Sequence, residues 1–163
     1  MKKILVLVLA LVMALSVVAL VACAEPQTVE GEYKYANPWD DSKFYGVKVS
    51  VTVKGGVIMG VEITSENTDN YTNLSSGWSD KSKWTDGEKD FLGSFEGLTV
   101  EEVNKIKVNV KENGEPDTTA GVDTITGAPA SLKIVETAEH TGATQSSGRV
   151  ILAVQNALSQ LAK

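Results

Sequence analysis

The most chemically suggestive part of the sequence is a short segment ahead of the last predicted helix. It reads Thr141-Gly142-Ala143-Thr144-Gln-Ser146-Ser147 and combines four hydroxyl side chains with a glycine and an alanine. The small residues let a ligand approach the backbone closely, and the free N–H groups and dipole at a helix start favour a phosphate. The segment therefore predicts a site for a phosphate-bearing ligand.

A second copy of Thr-Gly-Ala lies upstream of this segment. Residues 123–128 read Asp-Thr-Ile-Thr-Gly-Ala, so this copy has an aspartate. Pro129 then stands where the downstream copy has Thr144, and proline has no hydroxyl. Joining Ala128 directly to Thr144 gives the uninterrupted sequence DTITGATQSSGRV. We therefore interpret residues 129–143 as an insertion that divides one site.

We expect the insertion to fold as an excursion whose ends meet. The entropy of closing a loop grows only logarithmically with its length, so fifteen inserted residues are not prohibitive. Such a fold returns Asp123 and Thr126 to the neighbourhood of Thr144. A short helix after Pro129 is one form that the insertion could take, since proline suits a first helical position, and a turn is the other.

In its motifs and their order the chain resembles the FMN-binding domain family. This family occurs in exported flavoproteins and in the flavin-carrying subunits of sodium-pumping NADH:quinone reductases and their relatives. Its pattern is Asp-x-x-Ser/Thr-Gly-Ala-Thr ahead of a helix. The resemblance also covers the hairpin within residues 31–63, with its Lys54-Gly-Gly turn, and the closing helix over 147–158. The chain departs from the pattern in spacing, because Ala138 stands six residues before Thr144.

The resemblance implies covalently bound FMN. In the family a dedicated flavin transferase joins FMN to the last threonine of the motif through a phosphoester, which here is Thr144. An exported flavin on a chain without a substrate domain is an electron carrier, with a membrane electron donor upstream and an acceptor downstream. The cofactor-binding residues implied, including the upstream copy, are Asp123, Thr126, Gly127, Thr141, Gly142, Ala143, Thr144, Ser146 and Ser147. The split motif leaves the alternative that Thr144 is no longer modified.

Aromatic side chains could supply the flat apolar surface that a flavin ring needs. Trp78 and Trp84 are the main candidates, and Tyr71 and Trp39 are two further ones. For each of them the alternative role is packing in the core or in a loop. We expect His140 to be a solvent-exposed loop residue. The chain has no second histidine, so no metal site is expected.

Alternating apolar and polar residues indicate the strands that must position these side chains. Valines alternate with polar residues over 47–53, a Lys54-Gly-Gly turn follows, and the alternation resumes over 57–63. This pattern predicts a hairpin. An earlier strand is predicted over 32–35 and a later one over 106–110.

Three helices are predicted, separated by polar connections. The first spans 85–95 after a surface loop, the second runs from a Thr99 capping box to about residue 105, and the third spans 147–162 with Ser146 or Ser147 as its N-cap. Strands without regular alternation with helices indicate an α+β fold. We expect a single domain in which a twisted antiparallel sheet packs with the C-terminal helix and the short helices.

The amino-terminal residues predict export and lipidation. Lysines at positions 2 and 3 precede an apolar run that ends in Leu20-Val-Ala-Cys23, which is typical of a bacterial lipoprotein signal peptide over 1–22. We expect a lipid on Cys23, a tether over 23–30 and the FMN-binding domain over 31–163, on the extracytoplasmic face of the cell membrane. An uncleaved transmembrane anchor is the alternative. Cys23 is the only cysteine, so no disulfide is expected.

The charge balance of the mature chain limits the classes of partner that it can bind. Without the two signal-peptide lysines, 13 basic side chains stand against 21 acidic ones, which argues against nucleic acid or anionic lipid as a partner. The leading interpretation is a membrane-anchored carrier of covalent FMN. The alternative is a ligand- or partner-binding lipoprotein that kept the fold and lost the flavin. An exported reductase ranks third, because the chain has no conventional acid–base constellation.

Overall fold

The computed structural model describes residues 24–36, 44–65, 71–72, 81–119, 121–135 and 142–161. The predicted signal peptide and Cys23 lie outside these residues. Within the part that is described, no helix is both long and apolar enough to cross a membrane.

The main sheet is built on the predicted hairpin. Strands β1 (Gln27–Ala36), β2 (Phe44–Lys54) and β3 (Val57–Ile63) pair antiparallel in that order, and β4 (Tyr71–Thr72) adds a short parallel pairing at the start of β2. Gly55 and Gly56 form the turn with φ angles of 57° and 80°. The hairpin prediction is therefore confirmed.

Strand β1 is longer than its sequence indicated. It begins at Gln27, so it includes four residues that composition placed in the tether. Val29 pairs with Val51 and packs against the core. A neighbouring strand that offers a full row of backbone partners can extend a polar segment that has little tendency to order alone.

Three helices accompany the sheet: α1 (Lys81–Gly93), α2 (Val100–Asn104) and α3 (Gly142–Leu158). The first begins inside the predicted surface loop, four residues before the expected start. The third begins five residues earlier than expected, so Ser146 and Ser147 lie within it and do not cap it. The expected start was wrong because serine and threonine form helices weakly, whereas here their hydroxyls are buried by packing.

The capping box at Thr99 is present as predicted. The Glu102 amide donates to Thr99 Oγ1 at 3.1 Å, and the Thr99 amide donates to Glu102 Oε2 at 2.8 Å. We expect Thr99→Ala to lower the free energy of unfolding by about 1 kcal/mol, whereas Thr99→Ser should cost far less. Urea denaturation of both variants measures this, and an unchanged midpoint in Thr99→Ala would show that the box contributes nothing to stability.

A second, smaller sheet lies beside α3. Strands β5 (Lys107–Val108) and β6 (Ile125–Thr126) pair antiparallel, and an isolated bridge joins Val110 to Pro116. Only the middle of the predicted 106–110 strand is regular. The turn between the bridged residues closes where Asn113-Gly114 predicts it, with Gly114 at φ 87°.

Helix α3 supplies one wall of the core. The helical spacing of Val150, Val154, Ala157, Leu158 and Leu161 predicts a buried stripe. The first four are buried against β1 and β2, whereas Leu161 lies past the end of the helix and is partly buried. Strand β1 comes so close to the helix that Gly31 has no room for a side chain beside Ala157. The Asn156 and Gln160 side chains bond the β1 backbone at Glu32 and Glu30, at 3.2 and 2.9 Å. The arrangement is a single-domain α+β fold.

Candidate functional site

Thr144 lies in the first turn of α3 and is almost fully buried. The residue is 3% exposed, and its Oγ1 has no hydrogen-bond partner among the residues that the structure describes. A buried hydroxyl without a partner costs about 1–3 kcal/mol. Such an atom in a native fold needs an explanation, and a hydroxyl intended for a covalent bond is one.

The serines that follow Thr144 are also buried, but their hydroxyls are in use. The single Ser147 hydroxyl proton is shared between the Ala143 and Val135 carbonyls, each 3.2 Å from Oγ. Ser146 Oγ accepts a hydrogen bond from Arg149 Nη2 at 3.1 Å. Of the candidate hydroxyls whose positions are described on α3, Thr144 is thus the one without a partner. Thr141 lies outside the described residues.

The face of α3 that carries Thr144 lies against the second sheet. Residues four apart in a helix share a face, so Gly148 lies one turn below Thr144. A side chain at Gly148 would come within 3.1 Å of both Val108 and Pro116. Val108 pairs with Ile125 of the upstream Thr-Gly-Ala copy. The upstream copy is therefore connected to α3 through β5.

Residues of the upstream copy are held by backbone contacts. Thr126 pairs with Lys107, and the Asp123 carbonyl accepts a hydrogen bond from Asn109 Nδ2 at 2.7 Å. Gly127 has φ 72°, and an added side chain would lie 3.0 Å from the Lys105 carbonyl oxygen. Glycine is therefore required there by the backbone. Direct contact between Asp123 and Thr144 stays a prediction.

Residues 129–135 of the insertion pack on the domain. They form a turn closed by the Leu132 amide and the Pro129 carbonyl at 2.9 Å, so no helix forms over these residues. Leu132 is buried in the core, and the Lys133 amide donates to Ser94 Oγ at 2.9 Å. The Val135 carbonyl accepts the Ser147 hydroxyl. The insertion thus joins the end of α1 to the start of α3.

Arg149 is a functional candidate that the sequence analysis missed. Its side chain is fully buried, and its guanidinium lies 6.0 Å from the centre of the Tyr45 ring, which stacks on Tyr35 at 5.7 Å. One helical turn before it, Gln145 Nε2 donates to Glu115 Oε1 on the turn that follows β5. A signal was present, because Arg149 falls four residues before the buried Ala153 and so on the core face of the helix.

Burial changes the protonation of this cluster. It lowers the pKa of Arg149, and the neighbouring Tyr35, Tyr45 and Glu115 oppose that shift. Burial also raises the pKa of Tyr35 to about 12, partly opposed by Arg149. The helix start is therefore bordered by a buried cation and by a tyrosine that holds its proton tightly.

A pH dependence of stability follows from Tyr35. Because its pKa is higher in the folded chain than its ordinary value of 10.0, the folded state binds the phenol proton more tightly. The resulting stability is complete below about pH 10 and is lost as the pH rises towards about 12. Urea midpoints across this range should fall, and Tyr35→Phe should flatten the fall while leaving a smaller part from Tyr33, whose pKa burial also raises. An equally steep fall in Tyr35→Phe would contradict the assignment.

No protein-family model matches the chain, and neither a curated protein nor a solved structure is significantly similar to it. The resemblance to the FMN-binding domain family thus stands on the sequence motifs.

One described atom, Thr144 Oγ1, fits a cofactor that is linked through a phosphoester. An esterified Thr144 oxygen would have no proton to donate, so the absence of a partner is compatible with esterification. Tyr71 lies in β4 and Trp84 in α1, but the positions of their side chains are not described. Trp39, Trp78 and His140 lie outside the described residues. Across the described ranges, no three His, Cys, Asp or Glu side chains are grouped to hold a metal ion.

Proposed function

We propose that this chain is a membrane-anchored extracytoplasmic flavoprotein that carries FMN as a phosphoester on Thr144. The observation that carries the proposal is the buried hydroxyl of Thr144, which has no partner among the described residues. It is the atom that the family motif designates, and it lies in the first turn of a long helix. FMN, when bound, supplies one- and two-electron transfer.

The attachment step is a substitution at phosphorus. With FAD as the donor, Thr144 Oγ1 forms a bond to the flavin-side phosphorus, the bond from that phosphorus to the bridging oxygen breaks, and AMP leaves. The hydroxyl proton passes to a base of the flavin transferase. The chain itself contributes the oxygen atom and the amino-terminal dipole of α3, which favours the remaining phosphate charge.

Anchoring and electron transfer complete the proposal. A lipid on Cys23 holds the domain at the membrane, where an electron donor reduces the flavin and a downstream acceptor oxidises it. A phosphoester keeps the cofactor from diffusing away outside the cell.

The test compares Thr144→Val, which keeps the shape of the side chain without its hydroxyl, with Thr144→Ser, which keeps the hydroxyl. The protein is purified from cells that contain the flavin transferase, denatured, and examined on a gel for flavin fluorescence. We expect fluorescence on the wild-type chain, none on Thr144→Val, and some on Thr144→Ser, which keeps the hydroxyl. Fluorescence that persists in Thr144→Val removes this residue as the attachment point.

Thr124→Val is the matched control. Thr124 is also a threonine with 3% exposure, but its Oγ1 donates to the Asp117 carbonyl at 2.6 Å. Without transferase, Thr144→Val should leave the free energy of unfolding unchanged or raise it, whereas Thr124→Val should lower it by about 1–3 kcal/mol. With transferase, Thr124→Val should keep its flavin.

A wild-type chain that stays colourless in the presence of transferase would favour the alternative, a non-redox lipoprotein that binds a ligand or partner.

A further inference from the structure

An apolar groove lies at the end of α3 opposite to Thr144. Its volume is about 630 Å³, and its apolar lining comes from Val53, Val100, Leu158 and Leu161. Val53 and Leu158 are buried, while the polar residues around the groove are exposed, among them Asn104 at the end of α2. The groove thus has an apolar base and a polar edge.

The groove also includes Ala24, the residue that follows the predicted lipidation site. Ala24 is the first residue that the structure describes, so the described chain begins at the groove. Strand β1 follows directly, and Gln27 pairs with Val53 of the groove. The chain therefore enters the described domain beside the groove.

We infer that this end of the domain, comprising the groove and the Gly55-Gly56 turn, lies against the bilayer surface. The inference depends on the lipid anchor in the proposed function. The lipid on Cys23 inserts into the bilayer, which brings the boundary between headgroups and acyl chains next to the groove. An apolar base with a polar edge suits that boundary, where apolar side chains and lipid tails meet polar headgroups.

The main effect of this contact is on orientation. A diacylglycerol anchor by itself holds the chain at the membrane but leaves the domain free to rotate about its tether. Contact at the groove selects the orientation in which α3 rises from the bilayer. Fourteen residues separate Leu158 from Thr144, so at about 1.5 Å per residue Thr144 lies about 21 Å farther from the bilayer. The flavin site then faces partners that extend away from the membrane.

The experiment measures water and lipid exposure at the two ends of the full-length lipidated protein. The Cys23 thiol is consumed by the thioether to the lipid, so one introduced cysteine is the only free thiol available for a nitroxide label. Asn104→Cys places the label at the groove. Asn113→Cys places it on an exposed turn near the other end of β1, where the Gly114 carbonyl accepts a hydrogen bond from the Tyr33 hydroxyl. Both variants are bound to uncharged phosphatidylethanolamine–phosphatidylcholine vesicles and exposed to oxygen, which enters lipid, and to a nickel chelate, which does not.

We expect the nickel collision rate at residue 104 to be several-fold lower than at residue 113, with a higher oxygen rate at 104. Equal nickel access at both positions on vesicle-bound protein overturns the docking inference and leaves the lipid anchor standing. Protection at 104 that disappears as lipid is added at constant protein shows contact between two copies of the chain and also overturns it. Failure of the protein with intact Cys23 to sediment with vesicles overturns the anchor and the docking together.

Discussion

Gly31→Ala is expected to lower the free energy of unfolding by about 3 kcal/mol or more, because the new methyl group has no space. On the present backbone it would overlap the Ala153 carbonyl oxygen and lie 2.5 Å from the Ala157 backbone nitrogen. Backbone atoms of a helix cannot move aside as a flexible side chain can. Strand β1 and helix α3 would have to separate, which would also weaken the bonds from Asn156 and Gln160 to the strand.

Gly60→Ala is the control, since Gly60 also lies in a strand of the same sheet. A methyl group there would meet no atom within 4 Å. Its effect should be small or slightly stabilising, because alanine loses less backbone entropy on folding than glycine does. Urea denaturation of both variants gives the comparison. Equal stability of the two would show that β1 does not approach α3 as closely as the structure places it.

Leu132→Ala is expected to lower the free energy of unfolding by about 2–5 kcal/mol. Leu132 lies in the insertion, yet it is buried with the core residues of the main domain. Removing most of its side chain loses apolar burial and leaves a cavity between the insertion and the helices. If the insertion were an excursion into solvent, the same change would have almost no effect.

Lys133→Ala is the adjacent control. The Lys133 side chain is 67% exposed, and its amino group is 3.8 Å from Asp90, which is also exposed. An exposed ion pair of this length contributes less than about 1 kcal/mol. The Lys133 amide bond to Ser94 is kept by alanine. A neutral Leu132→Ala would reduce the insertion to a dispensable loop and remove the argument that it positions the start of α3.

The elements that the sequence predicted well are those decided by local chemistry. The hairpin over β2 and β3 follows from valine alternation and a Gly-Gly turn. The α2 cap follows from the types of two residues three positions apart. The buried stripe of α3 follows from helical periodicity. In each case the information lies within a few neighbouring residues, so one sequence is enough to read it.

The start of α3 illustrates what local chemistry does not decide. Its first turns contain Gly142, Thr144, Ser146 and Ser147, none of which is a strong helix former. The burial of Thr144, Ser146 and Ser147 depends on contacts with segments that are distant in sequence, among them Val135 and the second sheet. The sequence therefore identified Thr144 as a candidate but could not indicate that its hydroxyl would be buried and without a partner. The burial of Arg149 also depends on residues that are distant in sequence, so the sequence did not indicate its role.

Burial of Thr144 also affects the order in which the protein matures. While α3 is docked, a hydroxyl that is 3% exposed cannot enter the active site of a second enzyme. Under the proposed function, flavin attachment has to precede docking of the helix start or use its transient opening. The rate of attachment would then be limited by how often this turn opens. Once the helix closes over the ester, the same burial shields the bond from hydrolysis.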